Sequence, residues 1–319
     1  MTLALAAREC VVRRVGETIY LDSPQTLLSP PRRLGDLLRR AAALAPERDF
    51  LIERAGDGLR RVTFAGALRA AEGIASFLLE DGRADRPVVA LSGNSIDHAL
   101  LMLGCFLAGV PIAPVSPAYS LLSQDGEKLR RIAAKIRPRV VFAETNAPFA
   151  RALATFAESR PTVLDGATVR ELACADVHPE LARREAAIVP DDVAKILFTS
   201  GSTGFPKGVP NTHRMSTSNQ QMMLQLWPFL AEAPPVLVDW LPWSHTFGGN
   251  HNFNLALFHA GTLFVDDGNR RTRCSRRRSG TCARARRRST STSLRASRRS
   301  SPGSKPTTTS EARSSRACA

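Results

Sequence analysis

From Arg61 to Phe198, short apolar runs alternate with segments of helical length and periodicity, and that alternation restricts the fold more than any other feature of the chain. Arg61-Val-Thr-Phe64 reads as a short strand feeding a helix. Thr63 caps it, apolar residues recur at Leu68, Ala71, Ile74, Phe77 and Leu78, and Gly82 is its expected stop. Pro87–Leu91 reads as a buried strand, Ser92–Ser95 as a turn and Ile96–Ala108 as a largely buried helix. Val110–Val115 is the next strand. Ser123 is the expected cap of a helix running through Ile136, and Arg139–Phe142 is another strand. A helix near Phe149–Ser159, a strand at Thr162–Leu164 and an apolar strand at Val193–Phe198 complete the series. Strands alternating with helices build βαβ units on a mostly parallel sheet with helices on both faces, an α/β fold. Ligands on such sheets bind beyond the carboxyl ends of the strands.

Charge divides the chain in two. The 319 residues carry a net charge of +15. Residues 269–319 hold 15 Arg and Lys305 against one acid, Glu311, so the whole excess lies there and residues 1–268 are charge-balanced. After Phe264 and Val265 the tail has no aromatic, Ile, Val or Met, and its one Leu is Leu294. Such a composition buries too little apolar surface to offset chain entropy, so 269–319 is expected to be disordered as an Arg/Ser-rich tail. A basic arm for nucleic acid and a plain solvated tail are two readings. Out-of-frame translation is the third and the favoured one. Shifting the codons from Ser275 onward by one base, with synonymous codons chosen freely, yields Leu-Ala-Glu-Thr-Val-Arg-Asn-Leu-Arg-Glu, an amphipathic helical pattern. The expected organisation is therefore one partial domain over 1–268 and a tail over 269–319, with no nucleic-acid partner.

Residues 1–268 are enough for a sizeable core. Their cysteines, Cys10, Cys105 and Cys174, are scattered without metal-ligand spacing, as expected of reduced thiols in a cytoplasmic protein; no protein-built metal site is expected. Met1–Ala7 lacks a basic leader region, and the apolar stretch Ala99–Val115 is broken by Pro111 and Pro114, so neither a signal peptide nor a membrane span is expected.

The chemistry concentrates after the last strand of the series, in Thr199-Ser-Gly-Ser-Thr-Gly-Phe-Pro-Lys-Gly208. Gly201 and Gly204 allow a tight turn and close backbone approach to an anion. Thr199, Ser200, Ser202 and Thr203 offer hydroxyls, and Lys207 a cation for a phosphate oxygen. Pro206, and the lack of Ser or Thr after the lysine, exclude a Walker A loop. A second constellation, Asp239-Trp-Leu-Pro-Trp-Ser-His-Thr-Phe-Gly-Gly-Asn-His251, packs aromatics, glycines and histidines together, as suits an aryl or acyl pocket.

The first segment resembles the phosphate-binding loop of the acyl-adenylate-forming synthetases, the superfamily of acyl-CoA ligases, luciferase and adenylation domains. Leu91–Asp97, Val110–Ser120 and Asn219–Met223 resemble segments of feruloyl-CoA synthetases and related aryl-CoA ligases. The resemblance covers about residues 10–268. It implies ATP, Mg²⁺ and coenzyme A as cofactors and co-substrates, and a small carboxylic acid, aryl or hydroxycinnamic, as substrate. The acid would be activated as an acyl-adenylate and passed to coenzyme A; loading of a carrier protein is the alternative. Lys207 and His245 are implied as catalytic, and Thr199, Ser200, Gly201, Ser202, Thr203, Gly204 and Lys207 as nucleotide-binding. Trp243, His245, Phe247, Gly248 and Gly249 are implied at the acid pocket. The adenine-, ribose- and Mg²⁺-binding segments and the C-terminal lysine of such enzymes have no counterpart after Gly268, so the 319-residue chain is expected to be inactive.

Overall fold

The computed structural model describes residues 3–7, 9–122, 126–199 and 206–266. The expectations for Ser123 and for 269–319 lie outside those residues.

The chain opens with a ribbon, β1 (Val11–Val15) and β2 (Thr18–Asp22), followed by α1 (Leu34–Leu44). The hairpin β3 (Asp49–Ala55) and β4 (Gly58–Thr63) leads directly into α2 (Phe64–Leu79). The alternating part then runs β5 (Val88–Ala90), α3 (Ile96–Ala108), β6 (Ile112–Pro114), α4 (Glu127–Ile136), β7 (Val140–Phe142), α5 (Asn146–Ala154) and β8 (Thr162–Leu164). Two short helices follow, α6 (Gly166–Leu172) and α7 (Leu181–Ala187). Last come the hairpin β9 (Val193–Thr199) and β10 (Lys207–Thr212), α8 (His213–Leu226), β11 (Val236–Asp239), a π-helix over Phe247–Asn252, α9 (Phe253–Phe258) and β12 (Thr262–Val265).

The central sheet has the order β10-β9-β6-β5-β7-β8 and is parallel except at β10, which runs antiparallel to β9 along the edge. A second sheet, β11-β12-β3-β4, is parallel over its first three strands. Strand periodicity sends alternate side chains to opposite faces. Val88, Ala90, Ile112, Val140 and Phe142 join the core under α1, α2 and α3. Val89, Leu91, Ala113, Val115, Val141 and Ala143 join a second core with Leu129, Ile132 and Ala133 of α4 and Phe149 of α5. Helices therefore cover both faces, as the alternation predicts.

Local chemistry fixes the helix starts. The Thr63 hydroxyl accepts from Gly66 N at 3.1 Å, and the Ser95 hydroxyl from His98 N at 3.1 Å, opening α2 and α3. Gly109, with φ +65°, closes α3 in the left-handed conformation that glycine adopts without a Cβ penalty. Three expectations shift. Helix α2 stops at Leu79 with Glu80 as its cap, and Gly82 opens the following 3-10 turn instead. The helix placed at Phe149–Ser159 begins earlier, at Asn146, and ends at Ala154 before a separate turn at Ala157–Ser159. Helix α4 starts at Glu127 after Gly126. Among the described residues, no helix is long and apolar enough to cross a membrane.

Candidate functional site

Two structures converge near the edge of the central sheet. The first is the β9–β10 hairpin. Lys207 pairs with Thr199 across it, so these two residues of the phosphate-loop segment face each other at the carboxyl end of β9. Both are exposed. Ser200, Gly201, Ser202, Thr203 and Gly204 lie between them, outside the described residues. Pro210 is tolerated in β10 because that strand is the sheet edge. Helix α8 follows at once: the Thr212 hydroxyl accepts from Met215 N at 3.1 Å.

The second is the segment after β11, which hangs on Asp239. This side chain is fully buried and accepts hydrogen bonds from Trp243 Nε1 at 2.9 Å, Asn252 Nδ2 at 2.8 Å and Leu241 N at 3.2 Å. Burial pushes its carboxyl above the usual range, and the hydrogen bonds pull against that shift. Asn94, in the turn after β5, ties the same segment down: its Nδ2 donates to Leu241 O at 2.8 Å and its Oδ1 accepts from Trp243 N at 3.0 Å.

These contacts bury part of the pocket expected from sequence. Trp243 is 1% exposed, packs edge-on against His98 and Phe253, and spends its indole N–H on Asp239. It packs in the core and, among the described residues, is not in the lining of the cleft beside α8. Gly248 and Gly249 are buried against backbone: an added Cβ would sit 2.4 Å from Leu241 O and 2.4 Å from Trp243 O, respectively. Their role is close packing of the π-helix. His245 is exposed, with its backbone engaged by Pro242 O and Gly249 N. Phe247 is exposed and stacks on His251, centroids 4.6 Å apart and planes at 11°.

Between α8 and the π-helix lies a cleft of ≈ 430 Å³. Asn211, Met215, Ser216 and Asn219 line one side; Thr246, Phe247, Asn250 and His251 line the other. Of the expected acid-pocket residues only Phe247 is in this lining, with His245 one residue before it. Sequence reasoning missed the α8 side. Its signal was there in the spacing, because Met215, Ser216 and Asn219 share one helical face immediately after the phosphate segment. The cleft is polar at its margins. Asn250 Nδ2 donates to Asn211 Oδ1 at 2.8 Å, and Gln220 Nε2 donates to Asn250 O at 3.1 Å. Ser216 Oγ, Gln220 Oε1 and Asn250 Oδ1 are buried without a partner among the described residues. His213, at the start of α8, turns away to accept from Leu34 N at 3.2 Å at the first turn of α1, and burial lowers it to about 4.

A second cavity of similar size, ≈ 440 Å³, is lined by Arg33, Arg39, Glu72 and Glu185 with apolar neighbours. Its charges are paired: Arg39 bridges Glu185 at 2.7 Å and Glu72 at 2.9 Å, and Arg33 bridges Asp36. It offers no free polar group comparable to those of the cleft beside the phosphate segment. Among the described residues no group of three or more His, Cys, Asp or Glu comes together to hold a metal ion.

Residues 38–286 match the family model described as AMP-binding enzyme. The chain is 27% identical over 255 residues to the 3-(7a-methyl-1,5-dioxo-octahydro-1H-inden-4-yl)propanoyl:CoA ligase of Rhodococcus jostii strain RHA1, covering 73% of this chain and 47% of that protein. It is 30% identical over 196 residues to the long-chain-fatty-acid–CoA ligase FadD13 of Mycobacterium tuberculosis, covering 57% and 35%. The chain thus spans about half, or less, of the length of these relatives. Among solved structures, ATP-bound MatB from Rhodopseudomonas palustris superposes with a TM-score of 0.61 at 24% identity, over 75% of this chain and 46% of that one. McyG A-PCP complexed with phenylalanyl-adenylate gives 0.62 at 22%, over 75% and 37%. The fold is that of the N-terminal domain of adenylate-forming enzymes, and the chain belongs to the AMP-binding enzyme family.

Proposed function

We propose that this chain is part of an ATP-dependent acid–CoA ligase acting on an aryl or hydroxycinnamic acid, of feruloyl-CoA synthetase type. The observation that carries the reading is one of continuity. Strand β10 begins at Lys207, at the phosphate segment, and four residues later supplies Asn211 to the lining of the cleft. A nucleotide held at the hairpin and an acid held in the cleft would share one rigid element.

The reaction has two steps. A carboxylate oxygen attacks the α-phosphorus of ATP, the bond to the bridging oxygen breaks, and pyrophosphate leaves. The coenzyme A thiolate then attacks the acyl carbon and AMP leaves. Negative charge grows on phosphate oxygens in the first step. Lys207 and the Thr199 hydroxyl, placed opposite each other, would hold those oxygens together with loop N–H groups. The flat Phe247–His251 stack and the thioether of Met215 give the cleft apolar faces for an aromatic ring.

Residues 269–319 enter this reading as out-of-frame translation. The test of function is acid-dependent exchange of pyrophosphate into ATP after the reading frame is restored past residue 268. Exchange with hydroxycinnamic acids above fatty acids is expected; no exchange with any carboxylic acid would overturn the reading. Transfer of the adenylated acid to coenzyme A rather than to a carrier protein separates a ligase from an adenylation domain.

A further inference from the structure

Lys195 has no role in the chemistry just described, yet its ammonium is buried in the core, where a charge is costly. It lies in the middle of β9, fully buried, and its Nζ donates to Gly249 O at 2.6 Å. The rings of Phe106 and Phe253 stand 5.4 and 5.6 Å from the ammonium. Lysine is almost never fully buried unless paired, and an isolated ammonium resists transfer from water. Here the partner is a backbone carbonyl and two ring faces. No carboxylate is paired with it among the described residues. The titratable groups that feel its charge are His98 of α3 and His213 of α8, and burial holds both of them low, at about 4. Burial likewise brings Lys195 down to about 7.

The register explains where the ammonium is aimed. Lys195 pairs directly with Asn211 across the β9–β10 hairpin. Residues directly opposite in an antiparallel pair project from the same face. Lys195 Nζ takes Gly249 O, and Asn211 Oδ1 takes Asn250 Nδ2. One rung of the hairpin therefore grips two consecutive residues of the π-helix. The Thr199–Lys207 pair closes the same hairpin four residues further along each strand, roughly 13 Å away at strand rise.

We propose that Lys195 is a positioning residue. With Asn211 it clamps Gly249 and Asn250, and so sets the π-helical wall of the acid cleft in register with the strand that leads into the phosphate loop. The consequence rests on the ligase reading: the clamp fixes the distance between the bound carboxylate and the α-phosphorus, where small misplacements cost large factors in rate. The clamp itself is independent of that reading.

The experiment uses the 319-residue protein and Lys195→Met, which keeps the stem and removes the charge. Circular dichroism and thermal unfolding establish that the variant folds. Hydrogen exchange is then followed by mass spectrometry, and cinnamate and 4-hydroxycinnamate binding by tryptophan fluorescence. Expected is about tenfold faster exchange across Phe247–Phe258, unchanged exchange in α3, and at least a threefold change in the ratio of the two acid affinities. A space-filling lysine would leave the ratio and the local exchange alone; a folded variant with wild-type exchange over 247–258 overturns the clamp. If Lys195→Met does not fold, the wild-type protein still decides: a scalar coupling between Lys195 ¹⁵Nζ and the Gly249 ¹³C carbonyl is expected, and its absence overturns the proposal. A wild-type protein that binds neither acid counts against the ligase reading and leaves the exchange result to judge the clamp.

Discussion

Lys207 and Trp243 show what single residues disclose in a sequence and what they conceal. Lys207 is exposed at the mouth of the hairpin, opposite Thr199, and on the proposed function its ammonium would meet a β- or γ-phosphate. A charge-assisted hydrogen bond contributes about 1.5–3 kcal/mol, which is about ten- to a hundredfold in rate. On the proposed function, in a protein whose reading frame is restored past residue 268, Lys207→Ala is expected to slow adenylation by that factor. It should slow thioester formation from preformed acyl-adenylate much less, since pyrophosphate has by then departed. Single-turnover kinetics of each half-reaction decides: equal losses in both would assign Lys207 to the fold or to the AMP moiety. Trp243 carried the opposite lesson. An aromatic next to Pro and Ser reads equally well as a pocket wall or as core, and what settles it is a partner four residues back, Asp239, whose buried carboxylate takes the indole N–H. His245→Ala, by contrast, is expected to alter the preference among acids, because His245 is exposed immediately before the lining residues Thr246 and Phe247; relative pyrophosphate exchange across a panel of acids measures it.

At the scale of elements, the sequence was legible where local chemistry decided the outcome. Helix α3 has the expected limits because Ser95 caps it and Gly109 ends it, and β8 follows its apolar run. It was illegible where tertiary pairing decided. The ribbon β1–β2 is exposed on both strands and has no buried face to announce it. Strand β3 gains its place by pairing with β12, more than two hundred residues later. Strand β10 contains Gly208 and Pro210, which argue against a strand in sequence but which an edge strand tolerates. The π-helix was likewise hidden. Its glycines could be read as a ligand cradle, but they permit the backbone of 241–243 to lie against it. That assignment has a direct consequence. Gly248→Ala would drive a methyl to 2.4 Å from a backbone oxygen that no rotamer change can move. Overpacking of this kind costs about 1–3 kcal/mol, so the variant should unfold at lower denaturant with unchanged slope. A variant as stable as wild type would mean that the π-helix is free to shift, and the fixed-wall view of the cleft would fail with it.

For the whole molecule, the balance of buried titratable groups sets how the fold responds to acid. His98 and His213 are both 1% exposed, and burial holds each at about 4 against an ordinary 6.5. His259 is lowered in the same way. A histidine depressed in the fold is neutral there, while the unfolded chain takes up its proton first as pH falls. Its contribution is therefore whole above 6.5 and is lost progressively between 6.5 and 4. Asp239 and Glu144, raised by burial, act in the opposite sense in the carboxylate range, so the raw acid profile mixes both. A difference measurement separates them. His213 accepts from Leu34 N at the first turn of α1, and asparagine can offer an acceptor in its place without a titrating ring. His213→Asn is expected to be less stable than wild type at pH 7, because the packing against Phe106 is lost. The gap should then close by about 2 kcal/mol by pH 5, the linkage expected for one group moved from 6.5 to about 4. Urea unfolding of both proteins at the two pH values gives the number. A gap that stays constant would mean that His213 is protonated within the fold. The neutral, acceptor ring that ties α8 to α1, and with it the placement of the helix that walls the cleft, would then have to be abandoned.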